Sequence, residues 1–356
     1  LLQTTPPTTT PTLLLTGATG LVGSQWLPLL QSARPGRRIA VLSRSSRPIP
    51  GVIIIPGDLR YDLDLDSLCG YITEIIHCAA DIRFTLPIEE ARAVNTEGTR
   101  RLLDFARRCP KLERFAHLST IYVAGKLKGQ LREQPLENPD GFMNTYQQSK
   151  YEAEQLVLAA MRDVPAAIFR LGSIVGDSTN GRVEQFNYFH QLLRMIPRNV
   201  LPMIPGDPEA RIDMISSDWA VPALAFLYEA RFKTGSIFNI CAGSTHSMSV
   251  GEMLARTFKV FEGHPACARF QPLTVPQLVS HSEFERYSSQ LQSGTATEFI
   301  RVLAQFLPHI AIRQSFDNTN TLAALNGSGL TLPNVRDYYS KVVLYCLDTG
   351  WGRATS

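Results

Sequence analysis

Gly17, Gly20 and Gly23 stand three residues apart in Thr16-Gly17-Ala18-Thr19-Gly20-Leu21-Val22-Gly23, directly after the apolar run Leu13–Leu15. A glycine in the first place makes a tight turn. One in the second lets backbone N–H groups approach a phosphate at the positive end of a helix, and one in the third lets helix and strand pack closely. The chain must therefore pass from strand to helix within a few residues, which limits its fold more than any other feature.

The rhythm downstream agrees. Leu13–Thr16, Arg38–Ser43, Val52–Pro56, Glu74–Ala79, Arg114–Ser119 and Ala166–Arg170 read as buried strands. Amphipathic stretches such as Glu89–Cys109 and Thr145–Met161 lie between them and read as helices. Strand–helix alternation predicts an α/β fold, a doubly wound parallel sheet of Rossmann type with its site at the carboxyl ends of the strands. After Gly172 the alternation breaks and Pro, Asn and long apolar helices take over. We read residues 13–175 as a dinucleotide-binding domain, with 207–245 returning to it as a helix (Arg211–Ala230) and a strand (Ser236–Ile240). Residues 176–206 and 246–356 read as a smaller, mostly helical substrate-binding lobe, and residues 1–12, rich in Thr and Pro, as an extended linker. The chain opens on Leu1 rather than Met, which reads as a trimmed or excised start.

Composition excludes several classes. A net charge of +3 is too small and too scattered for a nucleic-acid partner. No apolar run approaches the roughly 20 residues of a transmembrane segment. The six cysteines (Cys69, Cys78, Cys109, Cys241, Cys267 and Cys346) form no CxxC pair and no metal-ligand spacing, so the expectation is reduced thiols, no metal and a cytoplasmic location. Cys78, in the run Ile75–Ala80, reads as a plain strand residue.

Cofactor binding is expected from Gly17, Thr19, Gly20, Leu21, Val22 and Gly23. Asp58 and Leu59, after the third strand, are placed to meet the adenine, and Ala79 and Ala80, after the fourth, leave room for a ribose. The second strand ends without an acid but with Arg44 and Arg47. Guanidinium forks match a 2′-phosphate, so NADPH is the expected cofactor.

Tyr-x-x-x-Lys occurs twice. Tyr122 and Lys126 stand in a glycine-interrupted loop, whereas Tyr146 and Lys150 lie in a strong helical stretch that puts both on one face. Hydride transfer to a carbonyl builds charge on oxygen that an acid must protonate. A lysine ammonium beside a tyrosine lowers its pKa toward working range. Ser119 and Thr120, at the end of the fifth strand, are both candidates for the hydroxyl that polarises the same oxygen. Asn95 is a candidate support for Lys150, with a surface position as the plainer alternative.

Together these pieces resemble the extended short-chain dehydrogenase/reductases, and within them the thioester reductase and fatty acyl-CoA reductase (male-sterility) branch. The matching segments are His77–Asp81, Val94–Thr99, His117–Gly125, Tyr146–Glu154, Arg170–Gly181 and Pro205–Asp207, within a likeness running from residue 13 to about 255. The resemblance implies Thr120, Tyr146 and Lys150 as the catalytic set, with Asn95, Tyr146, Lys150 and Leu171 also touching cofactor. Leu171 stands where the family often has Pro. It further implies NADPH-dependent reduction of an acyl thioester, an acyl-CoA or an acyl group on the phosphopantetheine arm of a carrier protein, with an aldehyde or, after a second reduction, an alcohol as the endpoint. Two other readings remain: a dehydrogenase or epimerase of a nucleotide-sugar or sterol-like alcohol with the same catalytic set, and a non-catalytic NADP-binding protein.

Overall fold

The computed structural model describes residues 12–137, 140–198, 202–270, 272–290, 300 and 310–352. Seven strands form one parallel sheet: β1 (Thr12–Thr16), β2 (Arg38–Ser43), β3 (Ile53–Pro56), β4 (Ile72–His77), β5 (Arg114–Thr120), β6 (Ala166–Leu171) and β7 (Ile237–Ile240). Their order is β7-β6-β5-β4-β1-β2-β3, so chain direction across the sheet reverses between β1 and β4. Such a reversal opens a crevice at the strand ends where dinucleotides lie.

The two faces are visible in the sequence alternation. Leu13, Leu15, Ile39, Val41, Ala116 and Leu118 bury on one face, against α1 (Leu21–Ala33) and, further along the chain, Ser217–Ala230. Leu14, Ala40, Ile75 and Phe115 bury on the other, against α3 (Glu97–Arg108) and α4 (Thr145–Ala160), and α2 (Ile88–Asn95) packs on those two helices. Strands covered on both faces read as near-continuous apolar runs, which is why they were legible.

A third apolar cluster, including Val175, Leu193, Met214, Phe258 and Tyr339, forms beside the sheet. Around it pack α5 (Tyr188–Met195), then, after α6 (Ser217–Ala230), α7 (Val250–Glu262), α8 (His281–Ser288) and α9 (Val335–Asp348), with short strand pairs between them. Apart from Thr12, the Thr/Pro leader lies outside the described residues.

Three expected elements differ. The helix expected over Glu89–Cys109 is two helices, interrupted at Thr96. There the Thr96 hydroxyl donates to the Ser149 carbonyl at 3.1 Å, and Asn95 turns its amide into the same region, so both side chains tie the break to α4. The fourth strand ends at His77, leaving Cys78, Ala79 and Ala80 in the loop beyond it. The helix expected from Arg211 starts at Ser217, because Arg211–Ile212 and Met214–Ser216 pair as short strands. Between them the buried Asp213 accepts N–H bonds from Ala242 and Gly243, a role that needs extended chain.

Candidate active site

The glycine loop leaves β1 at the reversal between β1 and β4. Gly17 has φ +74°, and a Cβ there would lie 2.6 Å from the Ala79 nitrogen. At Gly23 a Cβ would lie 2.1 Å from the Gly17 carbonyl oxygen. Both positions are thus demanded by the packing of turn, strand and helix. Gly20 differs: a Cβ would make only ordinary contact with the Gly17 oxygen, at 3.5 Å, so internal packing leaves this position open at the N-terminus of α1. An open glycine there fits the approach of a pyrophosphate. Thr19 and Gly20 are exposed, while Leu21 and Val22 pack against the core below.

The adenosine side is charged. Arg44 and Arg47 are exposed past the end of β2. Asp58, expected to face adenine, is held by Arg60 through two oxygens, with Nη2 at 2.6 Å from Oδ2, and this pair pulls its carboxyl below the usual range. The Leu59 side chain is buried under α3 against Gly98, so only its backbone is left for a ligand. Asp81 and Arg83, two residues apart past β4, repeat the Asp58–Arg60 arrangement. Ala79 and Ala80 are half-buried beside the loop.

β5 and α4 bring the candidate catalytic side chains together. α4 begins at Asn144, whose side chain accepts the Gln147 N–H at 3.0 Å and caps the helix. Tyr146, Lys150 and Glu154 follow at successive turns of α4. Thr120 bonds the Tyr146 hydroxyl, donates to the Leu171 carbonyl at 3.3 Å and accepts the Tyr122 N–H at 3.2 Å. Ser119 points elsewhere and donates to Glu154 at 2.7 Å, so of the two candidate hydroxyls Thr120 is the one that faces Tyr146. Glu154 also meets Arg170 in a pair with both side chains fully buried. Arg170 donates further to the Arg132 and Gln134 carbonyls.

The electrostatics depart from expectation. Burial pushes Tyr146 up to about 12, with the Thr120 bond pulling the other way. Lys150, expected to lower Tyr146, turns to β5 instead: Nζ donates to the Leu118 carbonyl at 2.7 Å and sits 3.4 Å from His117 Nε2. Burial lowers Lys150 to about 8, opposed by Glu154. The Cys78 thiol is pushed up to about 12 by burial, so it is protonated near neutrality. Asn95 is buried, not on the surface. It accepts the Asp81 N–H at 2.8 Å and donates to the Ser149 hydroxyl at 2.9 Å, joining the loop after β4 to the residue before the lysine.

Tyr122 bonds Ser173 at 2.8 Å, while Lys126 is exposed on the surface. Sequence reasoning missed an aromatic stack ending on Tyr146. The Phe84 ring lies 5.5 Å from Tyr146 and 4.5 Å from Tyr188 of α5. It also gave no role to His117, although His117 stands two places before Ser119 and points to the same side of β5, and that spacing was the available signal.

Fold and site together resemble those of the extended short-chain dehydrogenase/reductases, and the fold is the one that solved reductases of this type share. The chain resembles the thioester reductase and fatty acyl-CoA reductase branch: the male sterility protein family model matches residues 52–224. An isonitrile lipopeptide synthase of Streptomyces coeruleorubidus is 27% identical over 95% of this chain and 24% of its own length. Fatty acyl-CoA reductase 1 of Xenopus laevis is 27% identical over 75% of this chain and 65% of its own. The chain thus spans only part of the curated relatives it matches. Among solved structures, the terminal R domain of the myxalamid PKS-NRPS pathway superposes with TM-score 0.78 at 24% identity, covering 96% of this chain and 93% of that one. A UDP-glucuronic acid 4-epimerase of Bacillus cereus with NAD is more distant, at TM-score 0.66 and 18% identity over 96% and 99%. Among the described residues all six cysteines are free, and no helix is long and apolar enough to cross a membrane.

Proposed function

We propose that this chain is an NADPH-dependent reductase of acyl thioesters, taking an acyl-CoA or carrier-bound acyl group to the aldehyde. The observation that carries the reading is the Thr120–Tyr146 hydroxyl pair at the end of β5, with Lys150 one turn further along α4. The likeness of residues 52–224 to the male-sterility family directs it toward thioesters.

The dihydronicotinamide, when bound, supplies hydride to the thioester carbon. The turn shaped by Gly17 and Gly23, with Gly20 open at the N-terminus of α1, would hold the pyrophosphate, and Leu171 would lie toward the nicotinamide. Exposed Arg44 and Arg47 would take the 2′-phosphate, the feature that separates NADPH from NADH. Thr120 and Tyr146 converge on the carbonyl oxygen, and Tyr146 donates its proton there as charge develops. The C–S bond then breaks, releasing thiol and aldehyde, and Tyr146 regains a proton from solvent. The sum is thioester, NADPH and a proton to aldehyde, thiol and NADP⁺. A second round on the aldehyde gives an alcohol by the same residues.

In this reading the sheet half binds cofactor and the helical region around α5, α7 and α9 binds the acyl chain. A phosphopantetheine arm is the natural bearer of the substrate, and free cysteines suit a reducing, cytoplasmic setting. Likeness in fold to nucleotide-sugar epimerases supports a second reading, oxidation or epimerisation of a sugar or other secondary alcohol with the same residues. A non-catalytic NADP-binding role would have no use for the Thr120–Tyr146 pair. NADPH oxidation measured against acyl-CoA, acyl-pantetheine, aldehyde and UDP-sugar panels separates these. Consumption with the thioesters is expected, and turnover of the sugars alone overturns the reading.

A further inference from the structure

Two histidines face each other across β4 and β5 beneath the loop, with ring centroids 5.4 Å apart. His77 is fully satisfied. Thr99 donates its hydroxyl to the Asn95 carbonyl at 2.6 Å, so His77 Nε2 must be the donor in its 2.9 Å contact with Thr99. His77 Nδ1 then accepts from Thr16, whose oxygen takes the Ala79 N–H. That chain fixes a neutral imidazole protonated on Nε2.

His117 is completely buried, its Nδ1 has no partner among the described residues, and its Nε2 lies 3.4 Å from Lys150 Nζ. An ammonium only donates, so Nε2 is the acceptor and the proton sits on Nδ1. Phe115, Ala116 and Leu118 around it on β5 are apolar core, and the hydrogen bond of its imidazole is the lysine contact.

We infer that His117 is a positioning residue for Lys150: with the Leu118 carbonyl it fixes two of the three ammonium N–H directions and leaves the third for the Tyr146 side of the cleft. The inference rests on the role proposed for Lys150 but reaches a residue outside the catalytic set. Lys150 is also faced by His77 from β4, by Cys78 from the loop after it and by Glu154 from α4. Glu154 is engaged by Arg170 of β6. Burial and the Lys150 charge hold both histidines neutral, leaving Nε2 of His117 able to accept.

The acceptor stabilises the charged lysine, so its removal lowers the Lys150 pKa. The test is a ¹³Cε-lysine NMR titration of the cofactor-free protein, with Lys150→Met assigning the signal. His117→Leu is expected to move the Lys150 midpoint down by about one pH unit. His117→Gln, which returns an amide near the Nε2 position, is expected to restore it. His117→Asn, which keeps polarity only near Nδ1, should behave like the leucine variant, and the Gln–Asn pair decides the matter if the leucine variant does not fold. The alkaline limb of kcat/KM should move with the NMR midpoint. An unchanged midpoint in the Leu and Asn variants overturns the proposal, and a raised one does so too by showing His117 to be charged. Because the titration uses neither cofactor nor thioester, failure of the thioester reading leaves it intact.

Discussion

Tyr122/Lys126 and Tyr146/Lys150 share one spacing and meet different ends. The first pair lies on a short turn after β5: Tyr122 turns inward to Ser173 while Lys126 stays exposed at the surface. The second lies on a capped helix, where both side chains go inward and Glu154 follows at the next turn. Spacing gives one face only where the backbone is helical. α4 is also anchored from three sides, by Asn95 and Thr96 through Ser149, by Ser119 through Glu154, and by Arg92 through Glu152. The turn at 121–124 is capped by Thr120, whose oxygen accepts the Tyr122 N–H.

The largest effect that sharpens this contrast is expected from Tyr146→Phe. Losing the proton donor should lower turnover by roughly 10²–10⁴-fold while NADPH affinity stays within a few-fold. Steady-state kinetics with cofactor titration by fluorescence checks both halves. Near-normal turnover would break the distinction between the two pairs.

Next in size is the anchoring of α4. Glu154→Gln leaves the Arg170 guanidinium buried without a counter-charge and should cost about 3–5 kcal/mol of stability. Urea unfolding measures it, and a change below about 1 kcal/mol, the scale of an exposed pair, would mean that this ion pair does not hold the helix.

Arg44→Ala probes the adenosine end. Loss of a charge-assisted partner costs about 1.5–3 kcal/mol, or roughly ten- to hundred-fold in NADPH affinity, with NADH little changed. Equal affinity for the two cofactors in the unaltered protein would remove the assignment.

The smallest effect belongs to the other tyrosine. Tyr122→Phe removes one hydrogen bond to Ser173, worth about 1 kcal/mol, and should leave turnover within a few-fold. Were this variant inactive, the turn would hold a reacting group rather than a cap.

The same contrast explains how much was legible in the sequence. The strands stood out because parallel strands covered on both faces are continuous apolar runs, and Gly17 and Gly23 because the turn tolerates no Cβ. Tyr146 and Lys150 stood out because their segment was plainly helical. What stayed hidden was contact between distant residues. No local pattern tells that Lys150 turns to His117 and Leu118 rather than Tyr146, or that Phe84 and Tyr188, 104 residues apart, stack beside the site. The break at Thr96 was hidden for the same reason, since its cause lies on α4.

The account turns on whether a C–S bond is broken by hydride from NADPH. The most direct measurement incubates the protein with NADPH and an acyl-CoA or acyl-pantetheine, titrates free thiol against NADPH consumed, and identifies the product by mass. The account predicts thiol release that tracks NADPH oxidation, with an aldehyde or its alcohol as product, and loss of both in Tyr146→Phe. No thiol release across short, long and aromatic acyl groups, together with turnover of a secondary alcohol or sugar nucleotide, would contradict it.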